Sequence, residues 1–143
     1  MKKYFFSLFF LIGLASISAQ HSVAREWNEV LLGAIRNDFA RPTIHARNLF
    51  HSSILMYDCW AVYDTIAQPF FLGENTRGFE CPFEGVPETV EVQEAREEAM
   101  SYAMYRLLSH RFSTSPGWEE TLNSLNNLFT SLGYDASNLS EDY

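Results

Sequence analysis

Three observations predict an all-α fold, a helical bundle of about four helices. Apolar residues recur at helical spacing in four separate stretches. Proline- and glycine-bearing breaks divide these stretches, and none of them alternates with the period of two that a half-buried strand requires. The chain has 143 residues, 47% of them hydrophobic and 15% aromatic, which suits one domain with a substantial core. No internal repeat is present.

Residues 1–19 read as a secretory signal peptide. Lys2 and Lys3 precede an apolar run from Tyr4 to Ile17, and Ser18-Ala19-Gln20 supplies a small-residue exit with cleavage after Ala19. The run is shorter than the roughly 20 residues of a spanning helix. No cysteine stands near the cleavage point to accept a lipid, so the expected location is secreted or periplasmic. Residues 20–143 are then the helical-bundle domain. Loss of Lys2 and Lys3 leaves no lysine and makes the chain still more acidic than its full-length net charge of −8. So acidic a surface repels phosphate backbones and anionic lipid, which argues against nucleic-acid and membrane-surface partners.

The first helix is predicted from Ser22, whose hydroxyl suits an N-cap, to about Phe39. Its apolar face comprises Val23, Trp27, Val30, Leu31, Ala34 and Ile35. Pro42 disfavours helical geometry at Arg41 and itself suits the first turn of the next helix, so two helices meet at a tight corner. The second helix extends toward Gln68. It is apolar or aromatic on most sides from Leu49 to Ile66, which predicts a central helix with several neighbours. Residues 69–88 carry Pro69, Gly73, Gly78, Pro82, Gly85 and Pro87 without a sustained period, and form a long loop. A loop of that length within a compact domain binds something, covers something or is tied down. The third helix runs from about Glu88 to Arg111 with Val92, Ala95, Ala99, Tyr102, Ala103 and Leu107 inward. Glu88, Glu91 and Glu94 at its start and Arg106, His110 and Arg111 at its end complement the helix dipole. The fourth runs from about Pro116 to Leu132 with Trp118, Leu122, Leu125, Phe129 and Leu132 inward. Gly133 provides a left-handed stop.

Within the second helix, Arg47, His51 and Asp58 fall within about 40° of one another, a polar seam on a mostly apolar cylinder. Burial there requires partners, and we read the seam as structural. Glu29 or Asp58 would pair with Arg47, helix-terminal carbonyls would take Arg41, and the seam would otherwise meet Glu29 or Asn28 of the first helix, or Asp58 would reach a hydroxyl or a backbone N–H of a neighbouring segment. An anion site built from Arg36, Arg41, Arg47 and His51 is the functional alternative, because guanidinium groups bind oxyanions bidentately. Metal binding is not expected: His45 lies about 160° round the helix from Arg47 and so faces away from His51. Asp58 and Asp64 are about 120° apart, too far round to be an acid/base pair. Cys59 and Cys81 permit a disulfide that would tie down the long loop and stabilise the fold by roughly 3 kcal/mol; two unconnected thiols are the alternative. The sequon Asn138-Leu139-Ser140 is read as incidental.

Several segments carry a resemblance. Trp27-Asn28-Glu29-Val30-Leu31-Leu32, Ala34-Ile35-Arg36, Arg41-Pro42-Thr43, Ala46-Arg47-Asn48-Leu49, His51, Met56-Tyr57-Asp58 and Trp60-Ala61 resemble the N-terminal helical region of bacterial vanadium-dependent haloperoxidases. These belong to the superfamily of haloperoxidases and type 2 phosphatidic acid phosphatases. Ser101-Tyr102-Ala103, the run from Tyr105 to Phe112, Leu132-Gly133-Tyr134-Asp135 and Asp142-Tyr143 are similar as well. The resemblance implies a larger helical fold that holds vanadate or phosphate through Lys-x6-Arg-Pro, Pro-Ser-Gly-His and Ser-Arg-x5-His segments. Here Ala34 stands where the lysine would be, Ser115-Pro116-Gly117-Trp118 matches the second segment only superficially, and no Ser-Arg pair occurs. No catalytic or cofactor-binding residue is therefore carried over.

The resemblance thus implies the N-terminal helical scaffold of a secreted haloperoxidase or acid phosphatase-like protein. Its catalytic region, and the vanadate that region would hold, are expected to lie outside this chain, and the ending at Ser140-Glu141-Asp142-Tyr143 is read as incomplete. A scaffold missing its second half should leave apolar helix faces uncovered. The alternative is a self-standing secreted interaction module that engages a partner through its acidic third helix or its tethered loop.

Overall fold

A computed structural model describes residues 22–86, 88 and 91–138. The expected signal peptide, residues 1–19, lies outside the described residues, as does part of the sequon. Among the described residues the fold is an all-α bundle of four helices: α1 (Val23–Arg36), α2 (Pro42–Ala61), α3 (Val92–Phe112) and α4 (Trp118–Ser131). Among the described residues, no helix is long and apolar enough to cross a membrane.

Local chemistry accounts for several helix ends. Ser22 caps α1 by accepting from Arg25 N–H at 3.3 Å, and Pro42 opens α2 where its missing N–H costs no helical bond. Asn37 and Val62 end α1 and α2 earlier than the apolar pattern predicts. At the end of α4, Gly133 has φ 85°. Gly133 N–H donates to Thr130 O and Tyr134 N–H to Phe129 O, a Schellman motif. The Tyr134 and Phe129 rings seal it with centroids 5.4 Å apart.

The core forms where α1, α3 and α4 meet. Trp27, Leu31, Met104, Leu108, Phe112, Leu125 and Phe129 are fully buried there. Trp27 donates from Nε1 to Ser101 Oγ at 3.0 Å and meets Phe129 edge to face at 6.2 Å. That hydrogen bond satisfies the indole's single donor, which burial would otherwise leave unpaired. The central helix is therefore α3 and not α2. Its buried line is Met100, Ser101, Met104, Leu108 and Phe112, displaced from the line expected at Val92, Ala95, Ala99, Tyr102, Ala103 and Leu107. Since α3 contacts α1, α2 and α4, its apolar residues are spread round the cylinder and no single face stands out.

The connection between α2 and α3 contains a hairpin that the sequence does not announce. Asn75 pairs with Glu80 and Thr76 with Phe79 in two-residue antiparallel strands β1 (Asn75–Thr76) and β2 (Phe79–Glu80). Arg77 and Gly78 turn the chain with φ of 55° and 86°. Positive φ at both central positions matches the right-handed twist of a tight hairpin, and Asn75 Oδ1 holds the turn by accepting from Gly78 N–H at 3.0 Å.

At the other side of the bundle, the end of α1 touches the start of α4. Asn37 O accepts from Gly117 N–H at 3.1 Å and from Ser115 Oγ at 3.1 Å. A Cβ on Gly117 would stand 2.5 Å from Asn37 Cβ and 2.8 Å from Asn37 O. Gly117 has φ −97°, which alanine adopts readily, so the requirement for glycine is steric. Gly117→Ala is expected to destabilise by about 2 kcal/mol, the usual range for overpacking. Urea melts should show a lower midpoint with an unchanged slope; an unchanged midpoint would contradict the close approach.

Candidate functional site

The seam on α2 divides into three environments. Arg47 is exposed, His51 is half-buried and Asp58 is buried. Their neighbour is α3, which runs antiparallel to α2 and positions Arg111 beside His51 and Arg96 beside the end of α2.

Asp58 ties down the long loop. Its carboxylate accepts from the backbone N–H groups of Phe70, Phe71 and Leu72, at 2.5, 2.9 and 3.3 Å. A charged acceptor shared by three consecutive amides is a strong arrangement, since each bond is charge-assisted. Tyr57 OH adds a bond to Gln68 O at 2.9 Å, and Asp64 Oδ1 accepts from Ile66 and Ala67 N–H. The anchor is thus Asp58 rather than a disulfide. Cys59 and Cys81 are both free thiols in this structure, the second of the two states the sequence leaves open. The Cys59 side chain packs against the core, where burial, and secondarily the Asp58 charge, push its thiol up to about 11. Cys81 takes its place in the loop through its backbone, accepting from Gly73 N–H and donating to Glu74 O.

Arg96 clamps the end of α2. Nε donates to Trp60 O at 3.1 Å, Nη2 donates to Tyr63 O at 3.2 Å and to Asp64 Oδ2 at 3.3 Å, and the guanidinium lies 4.3 Å from the Trp60 ring centroid. Satisfying orphan C-terminal carbonyls and stacking on an aromatic face are tasks suited to the planar guanidinium.

At the other end of the α2–α3 pair, Arg111 Nη2 donates to His51 Nδ1 at 2.8 Å. Desolvation first, and then the charges of Arg111 and Arg47, hold the His51 imidazole below its usual value of 6.5. Arg47 forms none of the ion pairs expected for it: Glu29 is exposed, and the Asp58 carboxylate is engaged by the loop amides.

Arg41 does not cap helix carbonyls but forks onto Asp38 with bonds of 2.9 and 2.8 Å. His45 Nε2 lies 2.8 Å from Phe39 O and 4.0 Å from Asp38 Oδ2. The Arg41 guanidinium is thereby committed to Asp38 and not offered to the anion site drawn from Arg36, Arg41, Arg47 and His51. Among the described residues, no group of three His, Cys, Asp or Glu side chains could hold a metal ion.

Asp38 also gives the fold an acid-sensitive joint. Burial raises its carboxyl pKa, but hydrogen bonds from Arg41, the Phe39 backbone and Ser115, with the Arg41 charge, outweigh burial and leave it below 3.8. A carboxyl depressed in the folded state contributes stability that is complete above its unfolded value and is lost as pH falls through its folded value. Stability from Asp38 should therefore hold down to about pH 5 and decline below about pH 4. Asp38→Asn should flatten that acid limb, as read by urea melts across the pH range; an acid limb identical in both proteins would remove Asp38 as its cause.

Arg96 and Arg111 are the two groups that sequence reasoning missed as partners. Arg111 was visible only as a dipole-complementing cation, and Arg96 gave no signal among its surrounding glutamates. No family model, curated protein or solved structure matches the chain.

Proposed function

We propose that the chain is the N-terminal helical scaffold of a larger secreted protein of the haloperoxidase or acid phosphatase-like kind. Its catalytic half would lie outside these residues. One observation carries the reading: α2 turns four of its large apolar side chains outward. Phe50 is 54% exposed, Tyr57 44%, Leu49 40% and Trp60 38%, while the side facing α3 contains Asn48, Ser52 and Met56. Four large apolar side chains exposed on one helix favour a surface that more protein covers.

The residues present do not fit vanadate. Ala34, at the position of the family's lysine, is buried in the core, and the guanidinium of the Arg41-Pro42 pair is neutralised by Asp38. What this chain contributes is framework: a rigid α1–α3–α4 core, a loop anchored by Asp58, and an apolar α2 face on which further helices pack.

The test is to read the coding sequence beyond the Tyr143 codon, express the continuous protein beside the 143-residue chain, and assay both. The longer protein should oxidise halide with vanadate and peroxide, or hydrolyse phosphate monoesters, and the shorter one should do neither. A natural stop directly after Tyr143 in several independent clones would sink the proposal. So would activity of the short chain that follows it through purification.

A further inference from the structure

We infer that Arg47, His51 and Arg111 form a binding site for a small oxyanion, a carboxylate or phosphate-type group, at the joint between α2 and α3. The inference goes beyond the scaffold role and does not depend on it.

Arg47 and His51 lie one turn apart on α2, and Arg111 reaches His51 from α3. Three basic side chains thus converge from two antiparallel helices. The chain contains 18 acidic residues against 10 lysines and arginines, yet among the described residues the ion pairs engage Arg41, His45 and Arg96. Neither Arg47 nor Arg111 has a carboxylate partner there. The charges acting on His51 are both positive. A concentrated, uncompensated positive charge in an otherwise acidic molecule attracts an anion and adds to its affinity.

Buried polar atoms nearby point the same way. Arg111 Nε is shielded from solvent with no acceptor, although Nη2 of the same guanidinium is engaged by His51. On the adjoining turn of α2, Ser52 Oγ, which can donate, is likewise shielded and unpartnered, its residue 1% exposed. A native interior rarely leaves such groups unsatisfied. An oxyanion carries several acceptors, so one group can take donors from Arg111 Nε, Arg47, Ser52 and the Nε2–H of His51 together, while His51 Nδ1 continues to accept from Arg111.

The readout is the His51 ring titrated by NMR in the purified chain, its signal assigned by its loss in His51→Asn. Ionic strength is held constant with chloride, so that screening of the two arginines is equal in every sample. Phosphate or acetate is expected to move the His51 midpoint upward by about half to one pH unit, because a nearby negative charge favours the imidazolium. The other histidine rings should stay where they were. Arg47→Gln, a change at an exposed residue that leaves the helix intact, should remove most of that movement. A response to phosphate alone assigns a tetrahedral dianion site, and a response to acetate as well assigns carboxylate recognition. Equal His51 midpoints in chloride, phosphate and acetate would overturn the inference. So would a shift shared by every histidine, or one unaffected by Arg47→Gln.

Discussion

Trp27→Ala is expected to lower the unfolding free energy by about 4 kcal/mol, the range for removing a fully buried large aromatic side chain. Three losses combine: the apolar surface of an indole that is 0% exposed, its edge-to-face contact with Phe129, and the donor to Ser101 Oγ. Phenylalanine at position 27 separates them, because it keeps much of the packing while leaving the buried Ser101 hydroxyl without its donor. That variant should lose about 2 kcal/mol. Since small domains are stable by about 5 to 15 kcal/mol, the alanine variant should lose between about a quarter and most of its stability. Urea denaturation followed by circular dichroism would decide it. A loss under 1 kcal/mol for alanine would mean that the core does not centre where α1, α3 and α4 meet.

Asp58→Ala should lose about 3 kcal/mol, because three backbone N–H groups would lose a shared charged acceptor in a half-buried place. The damage should be regional. The segment from Phe70 to Leu72 is released first, so limited proteolysis should cut the α2–α3 connection faster than any helix. Asp58→Asn keeps one acceptor oxygen but loses the charge, and should fall between alanine and the parent. In a longer, active protein the same change should reduce the amount folded while leaving turnover per folded molecule nearly unchanged. Unaltered stability with lost turnover would instead make Asp58 part of an active site.

The outer helices were legible for a simple physical reason. In α1 and α4 one face meets the core and the other meets solvent, so the spacing of Val23, Trp27, Leu31 and Ala34, or of Leu125 and Phe129, reports burial directly. The same rule fails for the inner pair. Because α3 contacts all three other helices, its apolar residues are dispersed. In α2, Leu49, Phe50, Tyr57 and Trp60 face outward while Asn48, Ser52 and Asp58 are buried, so hydrophobicity points away from the core. Reading α2 as the centre followed from assuming that its aromatic side chains were inside.

The candidate site was half visible. Arg47, His51 and Asp58 do lie along one side of α2, and a backbone N–H of a neighbouring segment was among the partners expected for Asp58. What spacing within one helix cannot supply is the register between two. That His51 meets Arg111, and that Trp60 and Tyr63 meet Arg96, depends on how α2 and α3 slide past each other. The Cys59 and Cys81 pairing was open for the same reason.

Fully buried apolar side chains in the core cluster come from α1, α3 and α4, while α2 adds Met56 and the partly buried Leu55 and Cys59 at its edge. The segment from Pro42 to Glu91 is therefore an excursion from a three-helix unit whose members are already joined by Trp27–Ser101 and Asn37–Gly117. Amide hydrogen exchange should accordingly resolve two tiers. Amides of α1, α3 and α4 would exchange only through global unfolding, while those of α2 would exchange through a cheaper opening that detaches it from α3. A helix that lifts away without dissolving its host can adjust its angle to whatever settles against Phe50 and Trp60. The outward face of α2 is in that sense an adaptable surface, mounted on a helix held to the bundle chiefly through its seam with α3.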